Sequence, residues 1–307
     1  MSTPLAIPSA TVGTPDATVA TRKVRSTESG RTQGRRSRRV WSVVAVLVAI
    51  AWVFPIYWMI NSALLPLNKL QGTRPTFLPL GGTLANVREV LKDPTFWDAT
   101  KISLVVVVIV LVAALIFAFL AALAVSRFRF RGRKSFILTI LVVQMIPAEG
   151  LFISQYRMLD SWNLVNTAIG LSIVYTAAIL PFTIWMLRGF VAGVPIELEE
   201  AAMVDGLSRT AAFFRITFPL LAPGLVAAGV YAFLQAWNEY TLALVVMTDP
   251  KQHTLPLWLQ GLVQTNRATD WGVVMAGSAL IAVPVIIFFL FVQNKMTSGL
   301  VAGAVKG

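Results

Sequence analysis

The chain has 307 residues, of which 56% are hydrophobic and 13% charged, with a mean hydropathy of +0.72. A soluble domain carries about 25% charged residues, so this composition excludes a water-facing globule and calls for a bilayer as solvent. The formal charge of +12 sits in short runs beside apolar stretches, which argues against nucleic acid, while zero Cys and the single His253 exclude disulfides, thiolate sites, histidine metal clusters and a histidine-based triad.

Residues 1–39 are rich in Ser, Thr, Ala, Gly and Arg with no apolar period and are expected to be a disordered basic tail. The apolar run after them is too long for a signal-peptide core, so it reads as a retained first span. Crossing about 30 Å of hydrocarbon takes roughly 20 apolar residues. Six stretches meet that length, near 40–63, 102–125, 135–154, 167–187, 220–247 and 271–292. Each must be helical, because a lone strand in lipid leaves its backbone unpaired. Glu149 interrupts the third, and Asn238 and Glu239 interrupt the fifth.

Lys and Arg number eighteen on one side of these spans and eight on the other, which sets both termini in the cytoplasm. Small residues recur every four positions at Ala114, Ala118, Ala122 and Ser126, and at Ala228, Ala232 and Ala236. Such stripes let helices approach closely in lipid, although alanine is also simply common there. No internal or inverted repeat is visible. The expected organisation is thus an all-α integral membrane fold: the tail 1–39, a six-helix membrane domain 40–293, and a cytoplasmic C-terminal tail 294–307.

Between the fourth and fifth spans, residues 195–219 carry helical signals of their own on the cytoplasmic side. Pro195 suits a first helical turn, Glu197, Glu199 and Glu200 favour the positive end of the helix dipole, and Gly206 supplies a stop. Ser208 then caps a second helix through Phe213 and Phe214, with Pro219 as its expected end. The hairpin suits a groove on a partner protein. Resting on lipid headgroups is the other reading, opposed by three glutamates facing an anionic leaflet.

Glu200, Ala201, Ala202, Gly206, Ile216 and Pro219, at this spacing, resemble the cytoplasmic loop signature of binding-protein-dependent ABC importer permeases. Trp237-Asn238-Glu239, Thr254-Leu255-Pro256 and the ending from Gly299 to Gly307 are similar to the carbohydrate branch, in particular the second permease of maltose- and trehalose-type systems. Phe218 departs from the leucine usual before the proline, and the long basic tail is unlike shorter members. The resemblance implies the type I importer permease fold and a coupling hairpin seated in an ATPase cleft, with Glu200, Ala201, Ala202, Asp205, Gly206, Ile216 and Pro219 as its positions. It further implies a second homologous permease, an ATPase dimer holding ATP and Mg, an extracytoplasmic sugar-binding protein, and a C-terminal tail from Ser298 that reaches between the ATPases or frays.

A carboxylate inside a bilayer costs about 2.5 to 3.5 kcal/mol on insertion scales, so Glu149 and Glu239 need an account. Glu239 falls past the midplane toward the outside, and Trp237, Asn238 and Glu239 together offer a ring, an amide and an acid for a sugar path, or a polar clamp between two permeases. Successive residues lie about 100° apart on a helix, so at most two of the three line one path. Glu149 and Tyr175 are further path candidates, with an interfacial position the other reading for Glu149. His253 reads as solvated in an outer loop. No phosphate-binding loop and no converging acid, base or nucleophile occurs, so catalytic and metal residues are expected to be none, and ATP hydrolysis falls to another subunit. The expected function is an ATP-driven importer of a di- or oligosaccharide in the cell membrane. The other readings are an importer of glycerol-phosphate or a similar substrate, or a self-sufficient secondary carrier.

Overall fold

The computed structural model describes residues 30–72, 74–263 and 269–304, all of them helix, turn or loop. In chain order the helices are α1 (Gly30–Leu64), α2 (Leu67–Leu70), α3 (Ala85–Lys92), α4 (Pro94–Arg127), α5 (Arg133–Val143), α6 (Phe152–Ser161) and α7 (Ala168–Gly193). They continue as α8 (Glu197–Val204), α9 (Arg209–Ala212), α10 (Phe218–Asn238), α11 (Thr241–Val246), α12 (Leu255–Gly261) and α13 (Trp271–Ala304). The chain forms two compact units, 1–54 and 55–307.

In the first unit the described segment is α1 up to Phe54. It begins at Gly30, so residues 30–39 are helical where an unstructured tail was expected, and residues 1–29 lie outside the described residues. From Val40 to Phe54 every side chain is exposed, including Trp41 and Trp52, which suits a helix meant to face lipid or another subunit.

The second unit is built on α4, α7 and α10. Helix α4 packs most extensively against α7, and α10 packs against both. What brings them close is the small-residue stripe: Ala114, Ala118 and Ala122 of α4 and Ala228 and Ala232 of α10 have no exposed surface. Dispersion gained at short range supports this contact, since lipid tails are as apolar as leucine and supply no hydrophobic drive. Helix α13 lies on α10 and α3, with Phe288 stacked on Phe233 at 3.9 Å and 11°.

Five helices among the described residues are long and apolar enough to cross a bilayer, and a bent pair makes a sixth where its two pieces count as one span. The expected single span at 135–154 is corrected to α5 and a helical segment, Ala148–Ser161, meeting at 97°. Pro147 is the reason. It disfavours helical geometry in the residue before it and itself stands at φ −57°, ψ 124°, so the helix cannot run straight through. The fifth span, expected at 220–247, ends at Asn238 because Glu239 turns extended at ψ 126°.

At that end of the unit, loops are pinned by single polar side chains. The amide of Asn86 donates to the carbonyls of Ala63 and Leu65, both at 2.9 Å. Ser103 Oγ accepts the Leu255 N–H at 2.8 Å, and the Trp258 indole donates to Thr95 Oγ1 at 2.9 Å. Asn166, at φ 59°, receives the Asp249 N–H at 2.8 Å. The opposite end collects Arg127, Arg129, Arg131, Arg133, Lys134, Arg188, Arg209 and Arg215, and the positive-inside rule turns it to the cytoplasm.

Candidate coupling hairpin and substrate-facing end

At the basic end the chain leaves α7 and makes the hairpin expected from the sequence. Pro195 lies just outside α8, two residues before Glu197, and not in the first turn. Glu197, Glu199 and Glu200 occupy that turn, where the positive end of the helix dipole attracts negative charge. The helix stops in a paired closure: the Leu207 N–H reaches Ala202 O and the Gly206 N–H reaches Met203 O, both at 3.1 Å. This closure needs a left-handed residue, and Gly206 stands at φ 92°. Ser208 Oγ then accepts the Ala211 N–H at 3.3 Å and starts α9.

Pro219 does not end the second helix. Residues Phe213–Thr217 widen into a π-turn that feeds α10 without a break, and Pro219 sits in the first turn of α10. A proline ring clashes with the carbonyl four residues back, and the wide turn, with the Phe218 N–H bonded to Phe213 O, accommodates it.

The hairpin has two faces. Ala202 and Ala212 are buried, and Ile216 is half-buried. Glu200, Ala201, Asp205, Gly206 and Pro219 are exposed, and Val204 presents 87% of its surface. An exposed acid beside bare apolar surface is what a protein partner can cover.

Behind that face lies a polar link between three elements. Arg127, the last residue of α4, places Nη2 3.3 Å from Glu199 Oε1, with side chains only 15% and 13% exposed. The same oxygen accepts Thr217 Oγ1 at 2.6 Å from the π-turn. The rings of Phe119, Phe213, Phe214 and Phe218 pack on one another, with centroids 5.2 to 6.5 Å apart, along the chain that carries Thr217. A cavity of about 350 Å³ opens beside it, lined by Arg127, Glu199 and Arg209 with apolar Leu123, Ile196 and Phe213.

At the other end of α10 the candidate residues separate. Trp237 is 2% exposed and stacks on Phe233 at 5.7 Å and 12°; its indole nitrogen is buried with no hydrogen-bond partner among the described residues. The carboxylate of Glu239 accepts the N–H groups of Leu242 and Ala243 at 2.8 and 3.1 Å, capping α11. Tyr175 is buried in α7, and its hydroxyl donates to the Glu239 carbonyl at 3.3 Å. Asn238 is exposed, with its amide donating to Leu234 O at 2.8 Å and its side-chain oxygen free to accept. Glu149 is exposed too, in the short helical turn where the bent third span changes direction. No group of three or more Asp, Glu, His or Cys able to hold a metal occurs among the described residues.

The model of the binding-protein-dependent transport system inner membrane component matches residues 114–296, more than half of the chain. The chain belongs to this permease family. A diacetylchitobiose uptake system permease from Streptomyces coelicolor is 43% identical to this permease, over 88% of this chain and 98% of its own. A trehalose/maltose transport system permease from Thermococcus litoralis is 35% identical, over 86% and 95%. A crystal structure of a bacterial ABC transporter that imports the acidic polysaccharide alginate contains a chain that superposes with a TM-score of 0.73 at 24% identity, covering 87% of the permease and 98% of that chain. This likeness carries the fold, that of a type I ABC importer permease. With five to six apolar helices long enough to span, the permease is a multi-pass protein of the cell membrane.

Sequence reasoning singled out Glu200 and missed the part played by its neighbour. Glu199, Arg127 and Thr217 form a shielded polar contact at the basic end, and two signals for it are readable in the chain. Neighbours on a helix point about 100° apart, so Glu199 and Glu200 cannot face the same partner. Arg127 is also the first charge after the longest apolar run, where a side chain at the membrane edge needs an anion.

Proposed function

We propose that this permease is one of two transmembrane subunits of an ATP-driven, binding-protein-dependent importer of a di- or oligosaccharide. It works by alternating access: ATP binding closes an ATPase dimer, the docked hairpin moves, and the spans open outward. Relatives named for diacetylchitobiose uptake and for trehalose/maltose transport support a sugar as cargo. The observation that carries the reading is the exposed edge Glu200, Ala201, Val204, Asp205 and Gly206 at the basic end of the bundle. In this reading Glu200 pairs with a basic group in an ATPase cleft, while Ile216 and Pro219 support the return helix. ATP and Mg belong to the ATPase, and this chain contributes no catalytic residue.

On the outer side, Asn238 and Glu149 are the side chains proposed to meet the sugar or its binding protein, because both are exposed. Trp237, Tyr175 and Glu239 lie behind Asn238. An amide with a free acceptor oxygen suits a sugar hydroxyl.

The test is reconstitution. The permease is expressed with its genomic neighbours, purified, and assayed for ATP-dependent sugar uptake into vesicles. Copurification of an ATPase and a second permease, with uptake that stops when ATP is withheld, is the expected result. Uptake by this chain alone, with no ATPase present, would favour a self-sufficient carrier.

A further inference from the structure

The hairpin meets a partner through one face and the membrane bundle through another, and the second contact determines what a movement of the first can do. Helix α8 packs on α9 and on the π-turn, and Ala202 and Ala212 are buried. The polar tie from the hairpin to the bundle is Glu199. Its Oε1 lies 3.3 Å from Arg127 Nη2 on α4 and receives Thr217 Oγ1 at 2.6 Å in the π-turn that leads into α10. Helices α4 and α10 are two of the three that form the tight alanine-lined core.

We propose that Arg127, Glu199 and Thr217 form a clamp that transmits hairpin displacement to α4 and α10 at once, as positioning residues for transport. The clamp rests on the coupling reading above. Three properties fit transmission rather than decoration. Both charged side chains are more than four-fifths shielded, so water screens the pair weakly, and Arg127 is the cation within ion-pair distance of Glu199 while Arg209 lines the cavity beside them. Phe213, which lines the cavity beside Arg127 and Glu199, packs with Phe119 and Phe218, so the chain on either side of Thr217 is anchored by ring contacts. Thr217 sits in a π-turn, a wide turn often used as a site of adjustment inside a helix, so α10 can respond to a pull on its first turn without losing its ladder further up.

The experiment uses the assembled transporter in nanodiscs with its ATPase and binding protein. Glu199→Gln keeps the shape and removes the charge; Thr217→Val removes the hydrogen bond with no charge change; Arg127→Glu combined with Glu199→Arg inverts the pair. The readouts are ATPase copurification, basal hydrolysis, and sugar moved per ATP consumed. Expected for Glu199→Gln and Thr217→Val are full copurification, retained basal hydrolysis, and a fall in sugar per ATP of roughly fivefold or more, the lower end of typical coupling between sites. The inverted pair should recover part of that loss.

Unchanged sugar per ATP in both single variants would overturn the clamp while leaving the coupling hairpin intact. Loss of the assembled complex in every variant would also overturn it, since the contact would then be packing alone. Failure of the unaltered permease to hold an ATPase would instead overturn the proposed function itself.

Discussion

Glu239 and Leu242 are joined by a short-range bond, the Glu239 carboxylate accepting the Leu242 backbone N–H at 2.8 Å, with its second oxygen taking Ala243 at 3.1 Å. An acid at membrane depth therefore has a local explanation: it ends α10, starts α11, and answers donors that lipid would leave bare. The charge is matched by the dipole of the helix it caps.

It follows that Glu239→Ala weakens the fold at this corner before it affects cargo choice. Loss of a cap costs about 0.5 to 2 kcal/mol. A lower thermal unfolding midpoint in nanodiscs, with the ranking of accepted sugars preserved, is the expected outcome, and Glu239→Gln, which keeps one acceptor oxygen, should fall between. Altered sugar ranking at an unchanged midpoint would return Glu239 to the substrate path.

Gly206 turns the hairpin at φ 92°, and a Cβ built there would meet nothing within 4 Å. Substitution is therefore a matter of backbone strain and not of space. A non-glycine residue in left-handed geometry costs about 1 to 2 kcal/mol, least for Asn and most for branched side chains. Gly206→Asn should retain most ATP-coupled uptake and Gly206→Val should lose it. Equal uptake in the two would show that the turn geometry is dispensable.

Glu200 is exposed and its carboxylate has no hydrogen-bond or ion-pair partner among the described residues, while Glu199 one residue earlier is shielded. Exposed substitutions away from special features change stability by about 0.5 kcal/mol or less. Glu200→Ala should accordingly give permease of normal yield and midpoint that holds its ATPase poorly, measured as ATPase recovered per permease on affinity purification. Normal recovery and normal uptake would remove Glu200 from the docking face.

The sequence exposed the spans and the hairpin because their signals are local: an apolar run, a proline, a row of acids, a glycine. The alanine stripes were readable too, as spacing, though only packing distinguishes close approach from common usage. What the chain did not disclose was which side of each helix faces inward once three helices meet. Trp237 and Tyr175 carry the chemistry of a sugar site, yet both are spent inside the chain's own core, whereas plain Asn238 is left open. Pro147 and Pro219 show the same limit. One proline bends a span by 97° and the other is absorbed in a π-turn, and the difference lies in whether neighbouring backbone can widen around the ring.

Ala118 offers the sharpest test of the packing that all of this depends on. It has no exposed surface, and it lies in a cluster with Leu187 of α7 and Leu221 and Ala228 of α10. A larger side chain there must push helices apart in a region with no room, and overpacking of this kind costs about 1 to 3 kcal/mol. Leu120, two residues on, points outward and is 57% exposed, so truncating it removes surface that the chain itself does not bury. Ala118→Leu should lower the unfolding midpoint and the yield of monodisperse protein, and Leu120→Ala should leave both near normal. The opposite ranking would mean that α4 does not meet α7 and α10 along its alanine stripe.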